Sequence, residues 1–283
     1  MNVLSIQSEV IYGHVGNAAA RFALQRLRHE AWCVPTVLLT SHAAHPGFTG
    51  EATAPALLEK LVAGLEAQGR FAQCQGLISG YLGSPEQARI VAEAVRKAKL
   101  ANPKLLYCLD PAFGDDGRVY ARPGVAEAMA DILLPLADLV TPNAFELSVL
   151  AGQKVTDADS AAAATEKLGR PLVIAKSVPL SGRIGALTQI NGNVWVAATP
   201  IVARAPRGAG DLFAALFFGQ YLNGKLTAQA LDLATRGVYH VLSVSDGLPE
   251  MDLIAQQDAL VAPPTPAGYF LGPASKIPEA ALG

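Results

Sequence analysis

The sequence predicts an α/β fold, a mostly parallel central sheet with helices on both faces, and three observations carry this. Short apolar runs alternate with longer stretches of helical periodicity along most of the 283 residues. The spacing between apolar runs suits right-handed strand–helix–strand crossovers. Only 16% of the residues are charged and 51% are hydrophobic, where about 25% charge is usual. Central strands of a parallel sheet are apolar on both faces and account for such a composition.

The runs Val3–Ile6, Cys33–Leu39, Gly76–Ile78, Leu105–Leu109, Leu139–Val140 and Leu172–Ala175 are predicted as buried strands. Between them, Asn17–Arg28, Pro55–Gln68, Pro85–Lys99, Gly124–Leu134, Asn143–Ala151 and Asp157–Leu168 carry helical spacing. Two stretches break the rhythm. Ile184–Ile190 and Val194–Thr199 flank Asn191-Gly192-Asn193 and predict an antiparallel hairpin. Thr40–Gly50, directly after a strand, predicts a loop able to cover a ligand. Neither an internal repeat nor a second core is evident, so residues 1–262 are expected to form one domain. Pro263, Pro264, Pro266, Pro273 and Pro278 mark 263–283 as a Pro-rich C-terminal extension on the surface.

Composition excludes several function classes. A net charge of −2 with no Lys/Arg run gives no footprint for nucleic acid or an anionic membrane. The apolar run Leu212–Phe218 is far shorter than the roughly 18 residues of a spanning helix. The N-terminus lacks a basic n-region, so no signal peptide is expected and the protein is read as cytoplasmic. Cys33, Cys74 and Cys108 fit neither a disulfide framework nor a metal site and are expected to be buried thiols. The five histidines show no zinc-ligand spacing.

The sharpest motif is Gly208-Ala209-Gly210-Asp211, followed by an apolar helix. Small residues allow a tight turn, and a helix starting there aims free N–H groups at an anion such as phosphate. Asp211 is placed to accept the proton of an attacking hydroxyl; the competing reading is a plain helix cap. Asp110 follows the strand Leu105–Leu109, with Gly114, Asp115 and Asp116 in the next loop. Carboxylates at that end of a parallel strand lie where ligands bind and could hold Mg²⁺, directly or through water, although an Asp-rich turn explains them too. Thr141-Pro142-Asn143 leads into another helix, where Asn143 and Glu146 have the spacing of a capping box; capping alone accounts for Glu146. Lys176 is expected to end a strand, either reaching a polyphosphate or simply solvated. Arg204 and Arg207 precede the Gly turn as further phosphate candidates. At the N-terminus Ser5-Ile6-Gln7-Ser8 is expected to end the first strand, and the stretch Gly13–Asn17 lacks dinucleotide spacing. Ser8 can hydrogen-bond a small polar ligand, and His14 reads as structural before catalytic.

Taken in order, LSIQSEVIYGHVGN (4–17), SGYLGS (79–84), LDPAFGDDG (109–117), VTPNAFEL (140–147) and GAGDLFAALFFG (208–219) resemble the pyridoxal kinases of the ribokinase-like superfamily. The resemblance covers nearly the whole chain to about Ala262; hydroxymethylpyrimidine kinases share its nucleotide half but not the N-terminal signature. It implies a ribokinase-like three-layer sandwich with a small flap over the substrate, and ATP-dependent phosphorylation of the 5′-hydroxymethyl group of pyridoxal. By position it implies Asp211 as catalytic base and Gly208, Ala209 and Gly210 as anion hole. Asp110, Thr141, Glu146 and Lys176 match ATP or metal positions, with Mg²⁺ at Asp110 and Glu146 and a monovalent cation as a further candidate. Ser8, Val15, His42, Ala43, Ala44 and Tyr81 match the substrate side, with residues 41–50 as flap, and a homodimer is implied.

The sequence departs from the family on that same side. Glu9 follows Ser8 where the family usually has His. The flap reads Thr40-Ser41-His42-Ala43, then His45-Pro46, in place of Ser-Asn-His-Thr. Ala43 removes a hydroxyl worth about 0.5–1.5 kcal/mol if nothing substitutes, and Pro46 stiffens the loop. Two alternatives follow: a kinase for another hydroxymethyl heterocycle such as hydroxymethylpyrimidine, and a weakly active B6-vitamer-binding protein.

Overall fold

A computed structural model describes residues 1–277. In chain order the elements are β1 (Asn2–Val10), α1 (Asn17–Arg26), β2 (Glu30–Leu39), β3 (Gly50–Ala52), α2 (Pro55–Ala67), β4 (Gly76–Ser79), α3 (Pro85–Ala101) and β5 (Leu106–Leu109). A two-stranded hairpin, β6 (Gly114–Asp115) and β7 (Arg118–Val119), precedes α4 (Val125–Ala128), β8 (Leu139–Val140), α5 (Ala144–Ala151) and α6 (Ala158–Lys167). The chain continues through β9 (Leu172–Leu180), β10 (Arg183–Ile190), β11 (Asn193–Thr199), α7 (Ala209–Leu222), α8 (Thr227–Val244) and β12 (Phe270–Pro273).

Ten strands form one sheet in the order β12-β11-β10-β9-β8-β5-β4-β1-β2-β3. The pairings from β2 across to β9 are parallel, and those at either end are antiparallel. Strand order reverses between β1 and β4, the kind of switch point beside which open α/β sheets bind ligands. Alternate side chains enter opposite cores. Val3, Ile78 and Cys108 pack with α1, α7 and α8, whereas Leu4, Leu77, Tyr107 and Leu109 pack with α2, α3 and α4. A third cluster joins α5 and α6 to β9, β10 and β11. The central strands β1, β4, β5, β8 and β9 therefore bury apolar side chains on both faces, as the low charge fraction predicts. Among the described residues no helix is long and apolar enough to cross a membrane. The three thiols are free; Cys74 and Cys108 are buried, and Cys33 is half-buried with its sulfur 3.3 Å from Arg21 Nε.

The structure alters several expected boundaries for identifiable reasons. Ser8 does not end the first strand: β1 continues to Val10, with a register shift between Gln7 and Glu9. Its buried polar side chains are satisfied by α1, because Ser5 Oγ donates to Asn17 Oδ1 at 2.8 Å and Asn17 Nδ2 donates to Gln7 O at 3.0 Å. Lys176 is not a strand end either. It lies within β9 at a bulge, where Lys176 and Ser177 oppose only Ala186 and Ser177 takes φ 55°. The helix expected over 124–134 shortens to α4, then becomes a π turn and a 3₁₀ turn around Pro135, which has no N–H to donate. The Pro-rich stretch is not wholly a surface extension: Phe270–Pro273 pairs with β11 and covers its open edge. Pro278 lies outside the described residues.

Candidate active site

The Gly208 turn is dictated by crowding. Gly208 has φ 98°, and a Cβ there would lie 2.0 Å from the His14 carbonyl oxygen. The turn opens α7, whose residues from Leu212 to Gln220 are all buried. A largely apolar helix packed between α1 and α8 holds its N-terminus, and the free N–H groups there, in one place. Asp211, in the first turn, accepts a hydrogen bond from the Gly16 N–H. Burial, and then the charge of Asp110, push its carboxyl up to about 6, against the pull of Gly16 and Lys176.

Beside this turn stands a buried charge cluster. Asp110, just past β5, is 1% exposed. Its Oδ1 accepts from Thr141 Oγ1 at 2.8 Å and from the Lys176 ammonium, while its Oδ2 is buried without a partner. Lys176 Nζ also donates to Gly210 O at 3.2 Å, joining the cluster to the anion turn. Burial alone would lower the Lys176 pKa, but Asp110 and Glu146 outweigh it and keep the ammonium charged. The β9 bulge turns this lysine toward Asp110, in place of a regular ladder position.

Glu146 completes the capping box that its spacing predicts. Its Oε2 accepts from Asn143 N at 2.9 Å, and Asn143 Oδ1 accepts from Glu146 N at 2.8 Å. Its Oε1 reaches across to Phe113 N at 3.0 Å and Gly114 N at 3.4 Å, tying α5 to the base of the β6–β7 hairpin. Burial and the nearby Asp110 push its carboxyl up to about 8, in opposition to Lys176 and these N–H donors. Both Glu146 oxygens are thus engaged; the free buried oxygen belongs to Asp110.

The substrate side is assembled from β1, the Gly13–Asn17 turn and the loop over residues 40–49. Ser8 and Val15 are buried, and a Cβ on Gly16 would lie 2.2 Å from Ser8 Oγ. Tyr81 stacks on Tyr120 with ring centres 6.3 Å apart. The 40–49 loop closes on itself, with Thr49 N donating to Thr40 Oγ1 at 2.8 Å. Within it Ala44 N donates to His42 Nδ1 at 3.1 Å, and burial followed by the charge of Arg207 lowers the His42 pKa. His45 Nε2 meets Glu250 Oε1 at 2.5 Å, and Glu250 Oε2 accepts from His14 N at 3.1 Å. One carboxylate so ties the flap to the Gly13–Asn17 turn.

The structure brings Asp110, Thr141, Glu146, Lys176 and Gly208–Asp211 together. Arg207 lies at their rim, bonded to Asp116 at 3.2 Å and 3.8 Å from Asp115. Arg204 is exposed and pairs with Asp246 beside Gly247, rather than with the cluster. His14, read as structural, has a bonded backbone N–H but a buried, unpartnered Nδ1. Sequence reasoning missed Tyr120, Glu250 and a cavity beyond Gly210. That cavity lies between β10, β11, α7 and α8, with Ile184, Ala186, Phe213, Val238 and Leu242 in its wall and Lys176 and Gly210 at its rim. The helical spacing of 227–244 was the available signal for α8.

A glycine turn at a helix N-terminus, an adjacent buried carboxylate and an apolar cavity with a buried lysine at its rim form an arrangement suited to phosphoryl transfer. The chain belongs to the phosphomethylpyrimidine kinase family, whose sequence profile matches residues 49–250. Among its relatives, the pyridoxal kinase PdxY of Rubrobacter xylanophilus is 40% identical over 275 residues, covering 93% of this chain and 95% of that protein. The pyridoxal kinase PdxY of Deinococcus radiodurans is 42% identical over 279 residues, covering 93% of each chain. Among solved structures, the pyridoxal kinase from Leishmania donovani in complex with ADP and pyridoxamine aligns with a TM-score of 0.89 at 27% identity, covering 96% of this chain and 99% of that one. The family profile begins at residue 49, past Ser8, Val15 and nearly all of the flap. The two PdxY alignments leave out too little of the chain to miss that N-terminal segment as a whole.

Proposed function

We propose that this chain is a pyridoxal kinase, transferring the terminal phosphoryl group of ATP to the 5′-hydroxymethyl oxygen of pyridoxal. The observation that carries the reading is Asp211 at the N-terminus of α7, beside the Gly208 turn and the Asp110–Lys176 pair. The substrate hydroxyl attacks the γ-phosphorus, the bond to the β-phosphate oxygen breaks, and ADP leaves. The hydroxyl proton goes to the Asp211 carboxylate, whose raised pKa suits a base near neutral pH. N–H groups of the Gly208–Gly210 turn face the transferring phosphoryl group, and Lys176 offsets its charge. Ser8, Val15, Tyr81 and residues 42–44 orient the pyridine ring beneath the flap, which excludes water.

The donor set suits Mg²⁺, which favours few protein ligands with several waters and, when bound, would supply positive charge to offset that of the nucleotide phosphates. Asp110 would hold it through the free Oδ2, directly or through water. Glu146, with both oxygens engaged, would act through water. Thr141 and Arg207 complete the polar surroundings of the nucleotide, with Arg204 further out and a monovalent cation as an additional ligand of the site. A homodimer is what the family resemblance implies.

The altered flap at Ala43 and His45 favours one second reading, a kinase for hydroxymethylpyrimidine. Mg·ATP offered with pyridoxal, pyridoxine, pyridoxamine or hydroxymethylpyrimidine, followed by ADP release, separates them. Pyridoxal is expected to give the highest kcat/KM. A higher value for hydroxymethylpyrimidine would overturn the proposal, as would tight pyridoxal 5′-phosphate binding without ADP release.

A further inference from the structure

Gln87 is out of keeping with the buried face of α3. The other buried side chains of that helix are alanines and valines, whereas Gln87 is a primary amide that is 0% exposed. Burying an amide is costly unless its polar atoms find partners. Gln87 finds them on the backbones of three separate stretches of chain. Its Oε1 accepts from Gly83 N at 2.8 Å, and its Nε2 donates to Thr36 O at 2.9 Å and to Thr53 O at 2.8 Å. An apolar side chain would fill the same space without these demands, so packing alone does not account for the amide.

Those three backbone groups frame the substrate side of the site. Thr36 lies in β2 and Thr53 directly follows β3, so the two residues are the roots from which the 40–49 flap leaves and returns. Thr53 closes the pair, with its N–H donating to Thr36 O at 2.9 Å and its Oγ1 donating to Pro35 O at 2.7 Å. Gly83 belongs to the turn between β4 and α3 that carries Tyr81. That turn is drawn to the flap roots a second time, because Thr36 Oγ1 donates to Tyr81 O at 2.6 Å. The contact is close: a Cβ on Gly83 would lie 2.7 Å from Ala52 Cβ and 2.8 Å from Val37 Cγ1. Gln87 and Thr36 together hold the base of the flap against the backbone of Tyr81.

We propose that Gln87 is a positioning residue for the vitamer site, setting the separation between the flap and the Tyr81 wall without touching the substrate. The assignment rests on the kinase reading above, in which Tyr81 and residues 42–44 orient the pyridine ring. One amide bonded to both flap roots and to the Tyr81 turn fixes all three at once, and a displacement of about 1 Å between such elements is enough to misplace a bound ring. The phosphate side, anchored through Asp110, Lys176 and the N-terminus of α7, has no bond to Gln87.

Gln87→Met and Thr36→Val test it, with steady-state kinetics and thermal melting on the full chain. Q87M keeps the length of the side chain and removes all three bonds; T36V keeps the shape and removes only the bond to Tyr81 O. In Q87M the KM for pyridoxal is expected to rise about 5- to 20-fold, with the KM for Mg·ATP and kcat changed less than about twofold. T36V should shift the pyridoxal KM in the same direction, about 2- to 5-fold. Q87M should melt lower than the parent, because Gly83 N and Thr53 O lose a partner. Added ADP should raise its melting temperature as much as it raises the parent's, and added pyridoxal should raise it less. A lower melting temperature with both KM values unchanged would overturn the assignment and leave Gln87 merely structural. Equal rises in the two KM values would overturn it too. Should Q87M fail to fold, T36V decides alone, and a pyridoxal KM equal to the parent's would count against the proposal. ADP release by the parent protein with pyridoxal reports the kinase reading separately, so unaffected variants beside an active parent overturn the positioning role alone.

Discussion

The phosphate-facing half of the site and the flap are held in different ways. Asp110, Lys176 and Glu146 are buried at strand ends, a bulge and a helix N-terminus, and backbone groups bind them as much as side chains do. The flap over residues 40–49 leans on the rest of the molecule largely through His45 and Glu250, and Phe48 within it is exposed. In the first region no side chain changes without leaving a buried charge or N–H unpaired. In the second, side chains can be exchanged while the fold stays intact. Apart from Glu9 on β1, the departures from the family pattern lie in the flap, at Ala43, His45 and Pro46.

The largest contrast should appear at Asp211. Asp211→Asn removes the proton acceptor and keeps the shape, so kcat is expected to fall by about 10²–10⁴-fold while Mg·ATP affinity changes little. Single-turnover phosphorylation and nucleotide titration check this, and near-normal turnover would remove the base assignment. Stability should move the other way. The folded pKa of about 6 lies above the ordinary carboxylate value of 3.8, so the folded state binds the extra proton and stability grows as pH falls through 6. Above pH 6 the charged Asp211 is a burden, and D211N is expected to melt higher than the parent at pH 8.

Lys176→Met comes next and tests whether the cluster acts as a unit. It strands Asp110, 1% exposed, without its cation. Removing one member of a buried ion pair typically costs about 3–5 kcal/mol. Urea unfolding should register a loss of that order, together with weakened nucleotide binding. A stability loss under about 1 kcal/mol would show that the pair is not structurally required.

How much of this was legible beforehand follows the same division. Asp110 after an apolar run, the Asn143–Glu146 box and the Gly208–Asp211 turn are local signals, each confined to a few consecutive residues, and the structure places all three around one point. The β9 bulge at Lys176 depends on the partner strand β10, and the added strand β12 depends on an open edge of β11. Neither condition is written in the neighbouring residues. His45 and Glu250 lie 205 positions apart, and nothing in either neighbourhood announces the other.

The pH dependence of kcat/KM for pyridoxal sharpens the contrast further. This parameter reports ionisations of the free protein and substrates. With Asp211 as base, activity should fall as pH drops through about 6, with unit slope, because protonation removes the acceptor. Glu250→Gln should leave that limb in place, since it touches only the flap and the Gly13–Asn17 turn. Its effect is expected on the pyridoxal KM, about fivefold upward, in keeping with the loss of one charge-assisted hydrogen bond. A shifted acid limb in E250Q would mean that the flap and the base are coupled.

The smallest effect is expected from Ala43→Thr, which returns to the flap the hydroxyl that the family pattern carries. If the ring lies beneath residues 42–44, the restored hydroxyl contributes about 0.5–1.5 kcal/mol, and the pyridoxal KM should drop about 2- to 10-fold. The KM for Mg·ATP should stay where it is, because the phosphate-facing half is anchored independently through Asp110, Lys176 and the α7 N-terminus. His42 sharpens this expectation. Its Nδ1 already accepts from Ala44 N, so in the parent flap the backbone beside Ala43 is drawn toward the histidine ring. A threonine at 43 gains only if its hydroxyl reaches the pyridine ring and not that imidazole. An unchanged pyridoxal KM in A43T, with pyridoxal still the preferred substrate, would mean that His42 and His45 have taken over the ring contacts. The flap would then be a different solution to the same binding problem, held in place by Glu250.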